Sequence, residues 1–330
     1  MVRQTFLGLM LLANAAVAAA QPATTKLAPV ADVPNVETTQ TQDIKFKSDA
    51  NQRMTVGVRL SGYGPFQFLV DTGADRTAIS RELAARLGLA TGELASIHTV
   101  TGTSTVSTAL VPDLQLTNRP MKVDAPLLEG ANIGADGIIG VDALRSQSVT
   151  FDFEKNILSV IPSATSSFHD EGDVIVVQAT RKNGRLVFTD AVANGHPLTV
   201  VIDTGAQISI GNAALRDKLL GRGLVDPLQK VELQSVSGDL LTGDYMFVRQ
   251  LEIGGLTLQN LAIVFADAHT FKELKLDQRP ALLLGMNAIR AFRKVSIDFA
   301  SRKFRVVLPQ TSQLDVRLAA ARLRQQSGIP

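Results

Sequence analysis

The chain has 330 residues, of which 45% are hydrophobic and 19% charged, enough for one large domain or two domains of ordinary size. A formal net charge of +2 and a 5% aromatic content without tryptophan argue against a nucleic-acid partner. The absence of cysteine excludes disulfides, thiol catalysis and cysteine-ligated zinc.

The N-terminus has the pattern of an export signal. Arg3 supplies a positive charge, the apolar run 6–13 follows, and residues 18–20 are the small residues that a signal peptidase prefers. We therefore predict a cleavable signal peptide over 1–20, and a periplasmic or secreted protein that does not insert into a membrane after cleavage. The alternative is an uncleaved anchor, although the apolar run is short for a membrane span.

The next segment, residues 21–45, is rich in Pro, Thr, Ala and Val and has no periodicity. This composition predicts a flexible leader, and the sequence leaves open whether the leader is an inhibitory propeptide.

The rest of the chain repeats itself. The segment PFQFLVDTG at 65–73 returns 132 positions later as PLTVVIDTG at 197–205. GIIG at 137–140 recurs as LLLG at 282–285, and VTFDF at 149–153 recurs as VSIDF at 295–299. The repeat predicts two related halves, 46–162 and 173–309, joined by a linker over 163–172 and followed by a tail over 310–330.

The coarse pattern is rich in strands. Residues 54–60 and 67–70 form one predicted hairpin, and residues 186–193 and 198–202 form another around Asn194-Gly195. Each half has one predicted short helix, over 81–87 and 213–220, and apolar spacing predicts a further helix over 314–326 in the tail. Asp152 and Asp298, which recur before Phe, are expected to cap the following turns.

The two Asp-Thr-Gly-Ala segments carry the chemistry. One copy alone would be read as a turn after a buried strand, but two copies in register predict two loops that meet. Gly73 and Gly205 lack a Cβ and allow the loops to approach closely, and the hydroxyls of Thr72 and Thr204 are placed to bond to the opposite loop.

Asp71 and Asp203 would then lie about 3 Å apart, where two carboxylates share one proton. The ionised carboxylate would accept a proton from water while the neutral one donates a proton to a carbonyl oxygen. This chemistry predicts hydrolysis of peptide bonds without a metal, a cofactor or a covalent intermediate.

These segments resemble a known family. LVDTGADRTAIS at 69–80 resembles the active-site segment of retroviral-type aspartic proteases, the retropepsins, and of their bacterial relatives, and VIDTGAQISI at 201–210 is similar. The resemblance covers about residues 46–309. It implies a mainly β fold with two tandem barrel-like lobes, one short helix in each, and the active-site cleft between them.

The resemblance implies that Asp71 and Asp203 are the catalytic pair of an endopeptidase acting on polypeptides. It also implies flap hairpins over the cleft, with tips near Thr101-Gly102 and Ser237-Gly238. Two such loops in one chain resemble the bilobal plan of pepsin. We therefore expect a monomer whose halves form an intramolecular pseudo-dimer, with pairing between two chains as the alternative.

The chain also departs from the family pattern. The Arg that follows the second signature in retroviral enzymes is replaced by Val141 and Met286, so Asp75 is expected to lack its usual partner. Gln207 stands at the position of Asp75 in the second half.

The histidines predict no metal site. His98, His169, His196 and His269 are scattered along the sequence without the spacing of zinc ligands.

Two functions fit these residues. One is an active aspartic endopeptidase, and the other is a catalytically silent peptide-binding module or scaffold of the cell envelope that retained the fold. The presence of both acids favours the enzyme.

Overall fold

The computed structural model of the chain describes residues 42–45, 47–48, 54–116, 120–165, 168, 174–220 and 229–309. The predicted signal peptide, residues 21–41 of the leader and the predicted tail helix lie outside the described residues. Within them, no helix is long and apolar enough to cross a membrane.

Strands dominate both halves. The first half contains β1 (Gln42–Lys45), β2 (Lys47–Ser48), β3 (Met54–Leu60), β4 (Tyr63–Val70), β5 (Ala78–Ser80), β6 (Thr91–His98), β7 (Thr103–Gln115), β8 (Met121–Leu128), β9 (Gly137–Ile139), β10 (Gln147–Asp152) and β11 (Ile157–Pro162). The second half contains β12 (Val174–Gln178), β13 (Thr180–Lys182), β14 (Arg185–Ala193), β15 (His196–Ile202), β16 (Ser209–Gly211), β17 (Gln229–Gln234), β18 (Leu240–Ile253), β19 (Leu256–Phe265), β20 (Ala281–Leu284), β21 (Lys294–Asp298) and β22 (Lys303–Val307).

The helices are short. They are α1 (Arg81–Arg86), α2 (Gly130–Ile133), α3 (Val141–Leu144), α4 (Ala213–Leu220), α5 (His269–Glu273) and α6 (Met286–Ile289), with a 3-10 turn at Ser163–Thr165. The predicted helices 81–87 and 213–220 are confirmed as α1 and α4. Turns after β8, β9, β19 and β20 also close into short helical turns of four or five residues.

Side-chain caps explain where the predicted helices begin. The hydroxyl of Ser80 accepts a hydrogen bond from the backbone N–H of Leu83 at 3.0 Å, before α1. The side-chain oxygen of Asn212 accepts from the N–H of Leu215 at 2.9 Å, before α4. Both residues satisfy an N–H group that would otherwise lack a partner in the first turn.

The two halves fold alike. The first half forms an eight-stranded sheet in the order β2-β3-β4-β9-β5-β8-β7-β6, and the second repeats this order with β13-β14-β15-β20-β16-β19-β18-β17. A further pairing of β3 with β7, and of β14 with β18, curls each sheet toward closure. The prediction of two tandem barrel-like β lobes is thus confirmed.

A third sheet joins the halves. Its order is β1-β11-β10-β21-β22-β12, so the end of the first half pairs directly with the end of the second. In the antiparallel pairing of β10 with β21, Thr150 lies opposite Ser296. Gln42–Lys45, at the end of the leader predicted over 21–45, pairs with β11 in this sheet. The lobe and linker boundaries otherwise remain predictions.

The turns of the shared sheet follow the sequence. Oδ1 of Asp152 accepts from the N–H of Lys155, and Oδ1 of Asp298 accepts from the N–H of Ser301, both at 2.9 Å. The predicted capping role of the two aspartates is therefore confirmed. Phe151 and Phe299, beside them, are fully buried and join the shared sheet to the core.

Candidate active site

Each Asp-Thr-Gly loop follows a buried strand whose neighbour is the second repeated segment. β4 runs parallel to β9, and the N–H of Asp71 donates to the carbonyl of Ile139 at 3.0 Å. β15 runs parallel to β20, and the N–H of Asp203 donates to the carbonyl of Leu284 at 3.1 Å. Apolar side chains fix these strands in the core, so the strands hold the backbone of both aspartates in place.

The two loops interlock through their threonines. The hydroxyl of Thr72 accepts from the N–H of Thr204 at 3.1 Å and donates to the carbonyl of Ile202 at 3.0 Å. The hydroxyl of Thr204 accepts from the N–H of Thr72 at 3.0 Å and donates to the carbonyl of Val70 at 2.7 Å. The predicted bonds to the opposite loop are therefore present in both directions, and both threonines are buried.

The glycines let the aspartates approach. A Cβ added to Gly73 would lie 2.6 Å from Oδ1 of Asp203, and a Cβ added to Gly205 would collide with the carboxyl group of Asp71. Any other residue at either position would displace a carboxyl group, so the geometry requires glycine at both.

The carboxyl groups are held by backbone N–H groups of their own loops. Oδ1 of Asp71 accepts from the N–H groups two and three residues further on, at 2.8 and 3.0 Å. Oδ1 of Asp203 accepts from the equivalent N–H groups at 3.1 and 3.2 Å. The two side chains are also close enough to affect each other's pKa. One oxygen of each group is thus fixed as an acceptor.

The electrostatics favour one shared proton. Burial, followed by the negative charge of Asp203, raises the pKa of Asp71 to about 7. Burial also raises the pKa of Asp203 above its usual value, against the opposing effect of Arg185. Two carboxyl groups in contact in a buried site cannot both ionise readily, so the pair retains a proton near neutral pH.

Arg185 supplies the partner that Asp75 was expected to lack. Its guanidinium Nη2 lies 3.4 Å from Oδ2 of Asp75, and its Nε donates to the carbonyl of Gly73 at 2.7 Å. Arg185 begins β14, so the second half holds the active-site loop of the first. This residue was not predicted from the sequence, because the family pattern places the partner arginine after the second signature. A signal was present, since Arg53 and Arg185 share the 132-residue offset of the repeat.

In each half, a polar side chain on the helix after the second repeated segment binds the chain that follows the Asp-Thr-Gly loop. Oδ1 of Asp142 accepts from both the N–H and the hydroxyl of Thr77, at 2.9 and 2.7 Å. In the second half Oδ1 of Asn287 accepts from the N–H and hydroxyl of Ser209, both at 2.9 Å. Asp142 and Asn287 are thus equivalent, as their positions in the repeat indicated.

The predicted flap tips lie in hairpin loops. Thr101 and Gly102 lie between β6 and β7, and Ser237 and Gly238 lie between β17 and β18. The tips meet, because the hydroxyl of Thr101 donates to Oδ2 of Asp239 at 3.4 Å. We call residues 91–115 the first flap and residues 229–253 the second flap.

Each flap packs on the opposite half. Val100 of the first flap contacts the apolar cluster around Phe271 in the second half. Val236 of the second flap contacts the apolar cluster around Ile133 in the first half. The flaps therefore cross over the contact between the halves, and each is anchored in the lobe that it covers.

Two of the histidines come together. Nδ1 of His98 lies 3.1 Å from Nε2 of His269, although the residues are 171 positions apart. The expectation that the histidines are scattered is thus wrong for this pair, because the fold brings the first flap onto α5. His196 lies elsewhere, on β15, and His169 lies outside the described residues.

Comparison with known families matches both halves. A family described as "gag-polyprotein putative aspartyl protease" matches residues 56–146, and a family described as "Aspartyl protease" matches residues 189–288. No curated protein matches the chain. The two matches lie in tandem, together span more than half of the chain, and each contains one Asp-Thr-Gly loop. The chain therefore belongs to the retropepsin-like aspartyl proteases, with both halves of the fold in a single chain.

Proposed function

We propose that the chain is an active aspartic endopeptidase whose acid–base unit is Asp71 together with Asp203. The observation that supports this most strongly is the carboxyl pair fixed by interlocked loops, in which burial raises the pKa of both acids. A merely structural turn would not need two buried acids in contact, since their mutual repulsion opposes folding.

In the proposed mechanism a water molecule lies between the two carboxyl groups and the peptide carbonyl. The ionised carboxylate accepts a proton from the water as its oxygen attacks the carbonyl carbon, and the neutral carboxyl group donates its proton to the carbonyl oxygen. The tetrahedral intermediate collapses when the amide nitrogen takes a proton from the pair and the C–N bond breaks, while one hydroxyl of the intermediate returns its proton to the pair as the new carboxyl group forms. The pair ends with one proton, as it began, and no covalent intermediate forms.

The flaps would contact the bound substrate. A polypeptide would enter between the flaps and the Asp-Thr-Gly loops, so the flaps must open to admit it. Their inner residues Ile97 and Val106, and Leu233 and Leu241 in the second flap, are partly buried and apolar. We therefore propose a preference for apolar side chains next to the scissile bond.

A cleavage assay tests this function. The mature protein is incubated with a denatured protein and with a peptide library, beside the nearly isosteric Asp203→Asn variant. Cleavage by the wild type alone, blocked by a transition-state-analogue inhibitor of aspartic proteases, supports the proposal. Binding of peptides without any product, in either protein, would instead identify the silent peptide-binding module.

We further propose that the protein is exported to the periplasm or secreted after removal of residues 1–20. The support is the charge, apolar run and small residues of the N-terminus. N-terminal sequencing of the exported protein should begin at or near Gln21. A retained Met1 in the membrane fraction would favour the uncleaved anchor.

A further inference from the structure

A polar cluster lies where the first flap meets the second half. His98 ends β6, His269 begins α5, and Glu273 ends the same helix. Nδ1 of His98 lies 3.1 Å from Nε2 of His269 and 3.6 Å from Oε2 of Glu273. The hydroxyl of Thr103 lies 3.2 and 3.3 Å from the two histidine nitrogens.

The spacing of these atoms fits a tetrahedral metal ion. Zinc–nitrogen and zinc–oxygen bonds of about 2.0–2.1 Å place neighbouring tetrahedral ligands roughly 3.3 Å apart. The observed separations of 3.1 and 3.6 Å bracket this value, and all three ligand atoms lie within 4.8 Å of one another. Two imidazoles and one carboxylate are also ligands that zinc-class cations prefer.

A hydrogen bond between the two imidazoles accounts for one contact of the cluster and leaves the other contacts of His98 to be explained. Nδ1 of His98 has three polar neighbours but carries at most one hydrogen. The two imidazole rings lie within 7° of parallel with their centroids 5.4 Å apart, so the two nitrogens face each other, and a small rotation of each ring would direct both lone pairs and the carboxylate at one cation. The side chains of His98 and Glu273 are 43% and 32% exposed, so an ion has a path from solvent.

We propose that His98, His269 and Glu273 bind a divalent transition-metal ion of the zinc class, and that this ion clamps the first flap onto the second half. Water would complete the coordination on the exposed side. The site already has a backbone contact beside it, since the N–H of His269 donates to the carbonyl of Val100 at 2.7 Å. The ion would add bonds between two segments that must separate when the flap opens.

The clamp predicts regulation, and this consequence rests on the proposed peptidase function. A flap held closed admits polypeptide slowly, so the metal should inhibit cleavage without entering the chemistry. Treatment with a chelator should leave cleavage intact or increase it. Loss of activity in the chelator, restored by zinc, would contradict both the clamp and the metal-free mechanism.

Metal binding is tested independently of activity. The mature protein, made without a polyhistidine tag and stripped with a chelator, is titrated with Zn²⁺ by calorimetry and with Co²⁺ by visible absorption. We expect one saturable site per chain and affinity about tenfold or more weaker in His98→Ala and His269→Ala. His196→Ala is the matched control and should bind like the wild type. Should an alanine variant fail to fold, His98→Gln replaces it.

Closure of the first flap is tested separately, by hydrogen exchange. Hydrogen exchange in residues 91–115 should slow when Zn²⁺ is added to the wild type but not to His98→Ala. No saturable binding by the wild type, or unchanged affinity in both cluster variants, would overturn the site. Binding that leaves flap exchange unchanged would overturn the clamp. Both results are independent of whether the protein cleaves peptides.

Discussion

Thr72 and Thr204 exchange reciprocal hydrogen bonds across the contact between the two halves, each accepting from the backbone N–H of the other. Each hydroxyl also donates to a carbonyl in the strand that precedes the opposite aspartate. These four bonds connect buried groups that have no access to water, so they fix the distance between the aspartates.

Removing one of these hydroxyls should therefore be costly. Thr72→Val preserves the shape of the side chain but leaves the N–H of Thr204 and the carbonyl of Ile202 without their partner. Each unsatisfied buried group costs about 1–3 kcal/mol, so we expect a loss of about 2–6 kcal/mol in the free energy of unfolding. Urea denaturation measures this loss, and peptide cleavage should fall with it.

Thr72→Ser is the matched control, because it keeps the hydroxyl and removes only a methyl group. It should retain most of the stability and of the cleavage. If the valine and serine variants behaved alike, the interlock would contribute packing rather than hydrogen bonds.

Arg185 should act as a positioning residue for the first active-site loop. Arg185→Met removes the bond to the carbonyl of Gly73 and the charge that lowers the pKa of both aspartates. We expect cleavage to fall by roughly tenfold to a hundredfold through misplacement of the loop. We also expect both limbs of the pH–rate profile to move to higher pH, since the ionised pair loses a nearby cation.

The shift in the pH profile separates this role from a merely structural one. Asp75→Asn, which retains the bond from Arg185 to Gly73, should shift the profile less. A slower Arg185→Met enzyme with an unchanged pH profile would show that the charge does not reach the pair.

The pH–rate profile should be bell-shaped. Cleavage requires one proton on the pair, and it should decline as pH rises through about 7, where Asp71 ionises. It should also decline at low pH, when the second carboxyl group is protonated. We expect the maximum of kcat/KM at about pH 4.5–6.5, and a maximum below about pH 3 would contradict the account.

The same pKa predicts how stability depends on pH. Because folding raises the pKa of Asp71 from 3.8 to about 7, its protonated form favours the folded state. This stability is fully present below pH 3.8 and is lost as pH rises through about 7. The loss is at most about 4 kcal/mol. Asp71→Asn should lose less stability between pH 4 and 8 than the wild type in urea denaturation, and equal losses would contradict the raised pKa.

Local and repeated patterns predicted much of this molecule. Apolar strands before Asp71 and Asp203 and turn residues at Asn194-Gly195 are set by neighbours in sequence. The repeat predicted that the loops meet, because two equivalent loops on a pseudo-twofold axis face each other. The interlocking threonines followed from that symmetry.

Contacts between distant segments were not predictable in the same way. The pairing of β10 with β21 was not predictable from periodicity. The alternation of apolar residues indicates which face of a strand is buried, but not which strand it pairs with. Arg185 reaches the loop of the other half, and His98 and His269 are 171 positions apart and meet only through the fold. Sequence spacing of metal ligands says nothing about pairs formed by tertiary structure.

The central claim is that Asp71 and Asp203 form one catalytic pair within a single chain. The short connection between the halves keeps them at an effective concentration of about the millimolar range, so no second chain is required. If each half instead paired with its counterpart in another chain, a dimer would contain an Asp71 pair and a separate Asp203 pair.

Single and mixed variants distinguish these arrangements most directly. Peptide cleavage is measured for Asp71→Asn and Asp203→Asn separately and after co-incubation, with size-exclusion chromatography of each sample. The single-chain pair predicts that each variant is folded and inactive and that mixing restores nothing. Substantial cleavage by either variant alone, from protein that elutes as a dimer, would contradict it.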